Sequence, residues 1–353
     1  MFKHFLPCKK SDIAARVRVR SGETKLGEMI KVPDNAPLLS FLQETSARYV
    51  VLGIAEDIGV LANGGQAGTA GAWDSFLSSF LNIQANDFTK ADTIAVLGCF
   101  SFDELKQKIE KKAVSAEDRI EDYRKAVPTI DDAVSELIQR IVAGGKTPIV
   151  VGGGHNNCYP VIKGTAQGLA SSSDVKGINC INLDAHIDYR LAEGRHSGNG
   201  FRYAKQEGYL MKYFALGIHE NYIPNGVLKE VRETADIDFI TFEDIFIRQK
   251  TTWQQALKDA GDFVGDERYG IELDLDSIAN VPASAATPCG ITSREALQYV
   301  AQMTKHFGAA YIHICEGIAS DDNALVGKLI SYLVTTFVKG YHNKKRPEES
   351  NKP

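Results

Sequence analysis

Eight short apolar runs, set apart along the chain, constrain what it can fold into. They are Tyr49–Ile54, Thr93–Cys99, Pro148–Val151, Ile178–Leu183, Tyr213–Leu216, Phe239–Thr241, Tyr269–Leu275 and Ala309–Ile314. Each is short, and most are rich in β-branched or aromatic residues, so each reads as a core strand. Strands that are apolar on both faces need cover on both faces. Helical patterns between them supply it, as over residues 102–142, where a break is expected at Pro128, and over 293–306. The expected fold class is α/β, a three-layer α/β/α sandwich around a mostly parallel central sheet. EDIGVLANGGQAGTAG, after the first run, is rich in Gly and Ala and reads as a loop. One domain over residues 1–345 is the expected organisation. Residues 1–48 form a weakly patterned extension packed on it, and the polar segment 346–353 forms a flexible tail.

The chain's 353 residues, 44% of them hydrophobic and 24% charged, can bury a sizeable core. A formal charge of −5 offers no basic footprint, so nucleic acid is not an expected partner, and a small molecule is. The six cysteines are scattered with no CxxC pair, and Cys180 and Cys315 sit in apolar runs, as buried thiols do. The first residues lack the apolar stretch of a secretory signal. No run approaches the ~18 apolar residues of a membrane helix. A reducing, cytoplasmic setting without a membrane is the expectation.

The chemistry lies where the apolar runs end. PIVV runs into Gly152-Gly153-Gly154-His155, INL into Asp184-Ala185-His186-Ile187-Asp188, and YGIEL into Asp274-Leu275-Asp276. Ligands of open parallel sheets collect at the carboxyl ends of strands, so these segments are expected to meet. Spacing by two in Asp184, His186 and Asp188, and in Glu272, Asp274 and Asp276, puts each triplet on one face of a continuing strand. Converging carboxylates repel one another and lose hydration, at several kcal/mol per ion. Two divalent cations would cancel that charge. Carboxylate-rich, imidazole-poor coordination favours two Mn2+, with Co2+ or Ni2+ as alternatives. A solvated acidic rim is the bland alternative, but it gives His155 and His186 no role.

Taken together, GGGH, DAHID and ELDLD resemble the signature blocks of the ureohydrolase family, which includes arginases, agmatinases and formimidoylglutamases. GIAEDIGVLANGGQAGTAG, with Asp57, Gly59, Asn63, Gly64 and Gly65, is similar to the family's N-terminal block. Asn63-Gly64-Gly65, and a glycine before His155 where arginases usually have Asp, lean toward the formimidoylglutamase branch. The resemblance implies that His155 and Asp188 bind one metal, that His186 and Asp276 bind the other, and that Asp184 and Asp274 bridge them. Glu316 matches the acid that receives the substrate's amidine or guanidine nitrogen, and Asp188 would also relay a proton. Ser197 and Asn199 match a loop that holds the substrate's amino-acid end. Asn63 and Arg190 are further candidates there, and Arg195 and Arg202 flank the loop. Hydrolysis of a linear amidine is implied, with N-formimidoyl-L-glutamate giving L-glutamate and formamide. A guanidino-compound hydrolase releasing urea and an inactive metal-binding homologue are the alternatives. The family also implies a homo-oligomer. Departures sit where specificity is set: Asn156-Asn157 after His155, Gly200-Phe201 where arginases carry a His, Gly317-Ile318-Ala319 after Glu316, and Gln66 where an Arg is often found.

Overall fold

A computed structural model of the chain describes residues 2–112, 115–171, 174–305, 308–319 and 324–342. The eight expected strands form, and a ninth precedes them. They are β1 (Phe5–Pro7), β2 (Tyr49–Ala55), β3 (Ile94–Ser101), β4 (Thr147–Val151), β5 (Ile178–Leu183), β6 (Leu210–Ile218), β7 (Ile237–Thr241), β8 (Tyr269–Asp274) and β9 (Ala309–Cys315). They join in one sheet of order β1-β3-β2-β4-β9-β8-β5-β6-β7. β1 pairs antiparallel with β3, through Phe5↔Phe100 to Pro7↔Gly98, and the other pairings are parallel. The N-terminal extension thus covers an edge of the sheet. β1 is only three residues long, too short to show a period, and its Pro7 is tolerated because the strand is an edge.

Side chains alternate between two cores. Tyr49 and Val51 of β2, Ile271 and Leu273 of β8, and Ile312 and Ile314 of β9 face one core, with side chains of the helices Ala72–Phe80, Trp253–Val264, Ser293–Met303 and Leu325–His342. Val50, Leu52, Cys180, Tyr213 and Tyr311 face the other, under the helices Ala116–Ala143 and Cys158–Ala170. That is the α/β/α sandwich the runs predicted, and both Cys180 and Cys315 are buried thiols.

Three local expectations are corrected. Pro128 does not break its helix, which runs unbroken for 28 residues from Ala116 to Ala143. A proline inside a helix costs about 3 kcal/mol. Val127, Ile130, Val134, Leu137, Ile138 and Ile141 are fully buried along the same helix, and each contributes about 1.5–3 kcal/mol, which outweighs that cost. The Gly- and Ala-rich segment after β2 is not all loop: Ile58–Ala62 is a short helix, with Ile58, Gly59, Val60 and Ala62 buried. The helix expected to reach His306 ends at Met303, and position 306 lies outside the described residues, as do 346–353. No described helix is long and apolar enough to cross a membrane.

Candidate functional site

Sheet order assembles the site. β4, β9, β8 and β5 are adjacent and mutually parallel, so their carboxyl ends share one edge. β4 leads through its glycines to His155, β9 to Glu316, β8 to Asp274 and Asp276, and β5 to Asp184, His186 and Asp188. Crossovers separate these strands widely in sequence and bring them side by side in space.

The triplets do not converge by strand alternation, as the spacing suggested. β5 ends at Leu183 and β8 at Asp274, before either triplet is complete. Two Asx-type turns do the work instead. Asp184 Oδ1 accepts the His186 amide at 2.7 Å, and Asp274 Oδ1 accepts the Asp276 amide at 2.8 Å. Each turn folds the i+2 side chain back beside the i carboxylate. Asp188 (φ 44°) and Glu316 (φ 62°) both take left-handed backbone conformations. For residues with a side chain this costs on the order of 1–3 kcal/mol, and such strain gathers at functional sites. Of the glycines before His155, Gly152 and Gly153 have φ of 90° and 74°. At Gly154 an added Cβ would lie 2.6 Å from Asn156 Oδ1 and 2.7 Å from Val60 Cγ2, so a side chain there would displace Asn156 and Val60.

Two overlapping carboxylate-rich groups of ligand atoms result, beside a third cluster of buried His155, His313 and Cys315. His155, Asp184, Asp188 and Asp274 form one, and Asp184, His186 and Asp276 form the other. In the first, His155 Nδ1 lies 2.8 Å from Asp188, 3.1 Å from Asp184 and 3.3 Å from Asp274. In the second, His186 Nδ1 lies 3.1 Å from Asp276 and 3.6 Å from Asp184. Asp184 presents Oδ2 to the first and Oδ1 to the second, as a bridge requires, while Asp274 falls in the first alone. Neighbouring donors around a cation with bonds of ~2.1 Å stand ~3 Å apart, which these separations match. His155 Nδ1 and Asp276 Oδ1 are buried without a hydrogen-bond partner. Electrostatics agree. Burial and Asp184 push Asp188 up to about 6, burial and Asp276 push Asp274 well up, and burial raises Asp276. Against the effect of burial, Asp276 and Asp184 raise His186 to about 12. A protein-only site cannot ionise all these acids, so the donor set suits two dications.

A cavity of about 210 Å3 opens onto these groups, with Asp188, Asp274, Asp276 and Glu316 in its wall. Glu316 is fixed from both sides: Oε1 accepts the His155 amide at 2.5 Å, and Oε2 accepts the Ser284 hydroxyl. Burial raises it to about 8 even so. Asn63, Arg190 and Ser197 line the cavity too, joined by Arg190 Nη1 donating to Asn63 Oδ1 at 3.1 Å and Asn63 Nδ2 donating to Ser197 Oγ at 3.2 Å. Asn199 does not line it. Its amide donates to the carbonyls of Leu191 and Gly194 and accepts from Arg195 and the His196 amide, so it braces the loop. Arg195 is engaged bidentately by buried Asp131 at 2.9 and 3.1 Å, and Arg202 by Glu230 at 2.7 Å. Arg190 alone of the three arginines reaches the cavity. Phe201 packs edge-on against the His155 ring with centroids 5.2 Å apart.

Several contributors were not foreseen. Glu56 accepts the amides of Gly59 and Gly154 at 3.1 Å and the Asn157 side chain at 2.6 Å, clamping the glycine turn to the end of β2. Asn182 donates to Asp184 at 3.0 Å. Ser284 comes from a loop, and Tyr222, stacked on His186 at 5.0 Å, from the single 3-10 turn Glu220–Tyr222, neither with a periodic pattern. Glu56 had a usable signal, an acid beside Asp57 just past an apolar run; the loop residues had none.

Known proteins share this arrangement of chain. The arginase family model matches residues 50–316. A formimidoylglutamase of Streptococcus pyogenes serotype M3 is 30% identical over 239 residues, covering 64% of this chain and 70% of that protein. A Trypanosoma cruzi formiminoglutamase solved with Mn2+ superposes with a TM-score of 0.69 at 19% identity, over 92% of this chain and 100% of that one. The formimidoylglutamase of Bacillus subtilis gives 0.70 at 16% identity, over 92% and 94%. At such identities the solved structures establish a common fold. The family match runs from β2 to Glu316 and takes in all the segments that build the site, and the chain belongs to the arginase family.

Proposed function

We propose that this protein is a binuclear-metal hydrolase that converts N-formimidoyl-L-glutamate to L-glutamate and formamide. The observation that carries this reading is a pair of ligand groups sharing Asp184, with Glu316 in the wall of the same small cavity. The formimidoylglutamases among its relatives support the substrate, and the Mn2+ of the T. cruzi protein supports two Mn2+, with Co2+ or Ni2+ as substitutes.

His155 and Asp188 would hold one ion, His186 and Asp276 the other, with Asp184 shared by both; Asp274, which the resemblance also assigns to both, stands here with the first group. Cations held there would supply the positive charge that makes a water easier to deprotonate near neutral pH. Hydrolysis adds the oxygen of water to the formimidoyl carbon and breaks that carbon's bond to the glutamate nitrogen. Both protons of the water therefore leave its oxygen: one must reach the leaving nitrogen for that bond to break, and the second ends on the released amine as its ammonium. Asp188 lines the cavity and is placed to take the first proton and return it. Glu316 receives the cationic amidine through charge-assisted hydrogen bonds. At the mouth, Arg190, Asn63 and Ser197 offer a cation, an amide and a hydroxyl to the substrate's carboxylates, while Asn199 keeps their loop in place.

We also place the protein in the cytoplasm as a homo-oligomer. Its six unpaired cysteines suit a reducing compartment, and the assembly is what the family resemblance implies. Mn2+-loaded protein assayed on a panel of amidines and guanidines tests the reaction. Formamide and glutamate should appear from N-formimidoyl-L-glutamate, and Asp188→Ala should abolish them. Urea from a guanidino acid or agmatine, without formamide, would reverse the assignment.

A further inference from the structure

Glu272 is the member of the ELDLD series that the proposed chemistry leaves unused. It points away from the core that holds Ile271 and Leu273, and it is fully buried. A buried carboxylate without partners is costly, so what surrounds it matters. Tyr311 donates its hydroxyl to Oε1 at 2.7 Å, and His313 Nδ1 lies 2.6 Å from Oε2. Both stand on β9, where His313 is the register partner of Glu272. Gly270 makes room for this. A Cβ there would fall 2.2 Å from the Tyr311 ring, so any other residue would push the tyrosine off the carboxylate.

The third neighbour is His155. Its Nε2 is buried without a hydrogen-bond partner, and the carboxylate that faces it is Glu272, with Oε2 3.5 Å away. Among the described residues the other acids paired with the His155 ring, Asp184, Asp188 and Asp274, all face its opposite nitrogen, Nδ1, while Glu316 takes the backbone amide. The imidazole thus has one nitrogen toward Asp184, Asp188 and Asp274 and the other toward Glu272. Phe201 stands edge-on to the same ring.

We propose that Glu272 is a positioning residue for the metal centre: it faces His155 Nε2 as the acceptor for its N–H, and so favours the tautomer whose Nδ1 lone pair is turned toward the first ligand group. This rests on the reading of His155 as a metal ligand. Carboxylates behind ligating histidines orient the ring and raise its basicity, and their loss typically weakens metal affinity about 10–100-fold. Tyr311 and His313 act at one further remove, by orienting Glu272.

Titration calorimetry of the full chain with Mn2+ tests this. Wild type should show two sites. His155→Ala should lose one, and Glu272→Gln should weaken that same site about 10–100-fold while sparing the other. Glu272→Gln should cost nothing further in the His155→Ala background, because both changes act on one ligand. Unchanged affinity in Glu272→Gln, or equal weakening of both sites, would overturn the positioning role and leave the ligand reading standing. Two sites in His155→Ala would instead overturn the ligand reading. If Glu272→Gln does not fold, Tyr311→Phe carries the test: a smaller loss confined to the same site supports the role, and no loss refutes it.

Discussion

Replacing Glu316 by glutamine should make the metal-free protein more stable, by an amount that grows with pH. Burial raises the Glu316 carboxyl from 4.5 to about 8. A folded-state pKa above the unfolded value means the folded protein binds that proton more tightly. Its stabilising contribution is complete below pH 4.5 and is lost as pH rises through 8. The full loss for such a displacement is about 5 kcal/mol, and the part falling between pH 5 and pH 7 is about 2–3 kcal/mol. Glutamine has the same shape, can accept the same His155 amide, and does not titrate. Ionisable groups away from the site are common to both proteins and cancel in the comparison, while Asp274 and Asp276, which repel the Glu316 charge, shift with it. Urea unfolding in excess chelator at pH 5 and pH 7 measures the difference directly. The gap in favour of Glu316→Gln should widen by about 2–3 kcal/mol over that interval. A gap that stays constant, or shrinks as pH rises, would refute the assignment of a buried, proton-holding carboxyl at this position. The same variant loaded with Mn2+ should lose turnover, so stability gained at this carboxylate comes at the expense of function.

Other outcomes follow from the same geometry. Arg195→Met strands Asp131 in the interior without its cation and should destabilise the protein by about 3–5 kcal/mol in urea unfolding. His196 is buried, and burial followed by Arg190 lowers its pKa to about 3, so it contributes stability above pH 6.5 that is lost as pH falls toward 3. His196→Gln should therefore lose about 2 kcal/mol less than wild type between pH 7 and pH 5, read from the same unfolding curves. Arg190→Gln should raise KM for N-formimidoyl-L-glutamate about tenfold or more with a smaller effect on kcat, if the side chain holds a substrate carboxylate. Steady-state kinetics check this, and an unchanged KM would remove Arg190 from the site.

The strands and the edge on which the ligands meet were legible because both depend on local pattern. Apolar runs such as INCINL mark buried parallel strands, and parallel strands place their carboxyl ends together. How Asp184, His186 and Asp188 converge was misjudged for a local reason. Spacing by two looks the same whether a strand continues or an aspartate caps a turn over its own i+2 amide, and here the turn wins. Pro128 misled because its cost is local, while the burial that outweighs it comes from packing across helices. Asn199 and Arg190 shared one sequence neighbourhood and ended in different roles. Whether a polar side chain faces a cavity or braces a loop depends on where other loops pass, which no window of sequence contains. Ser284 on Glu316 and Glu272 behind His155 are long-range contacts of that kind.

That two histidines and four aspartates form one cage for two cations is tested most directly by equilibrium dialysis against Mn2+ followed by metal analysis. Wild type should retain two Mn2+ per chain, and Asp184→Ala, which removes the carboxylate common to both groups, should retain far fewer. Wild type without bound metal, or Asp184→Ala still holding two ions, would contradict it.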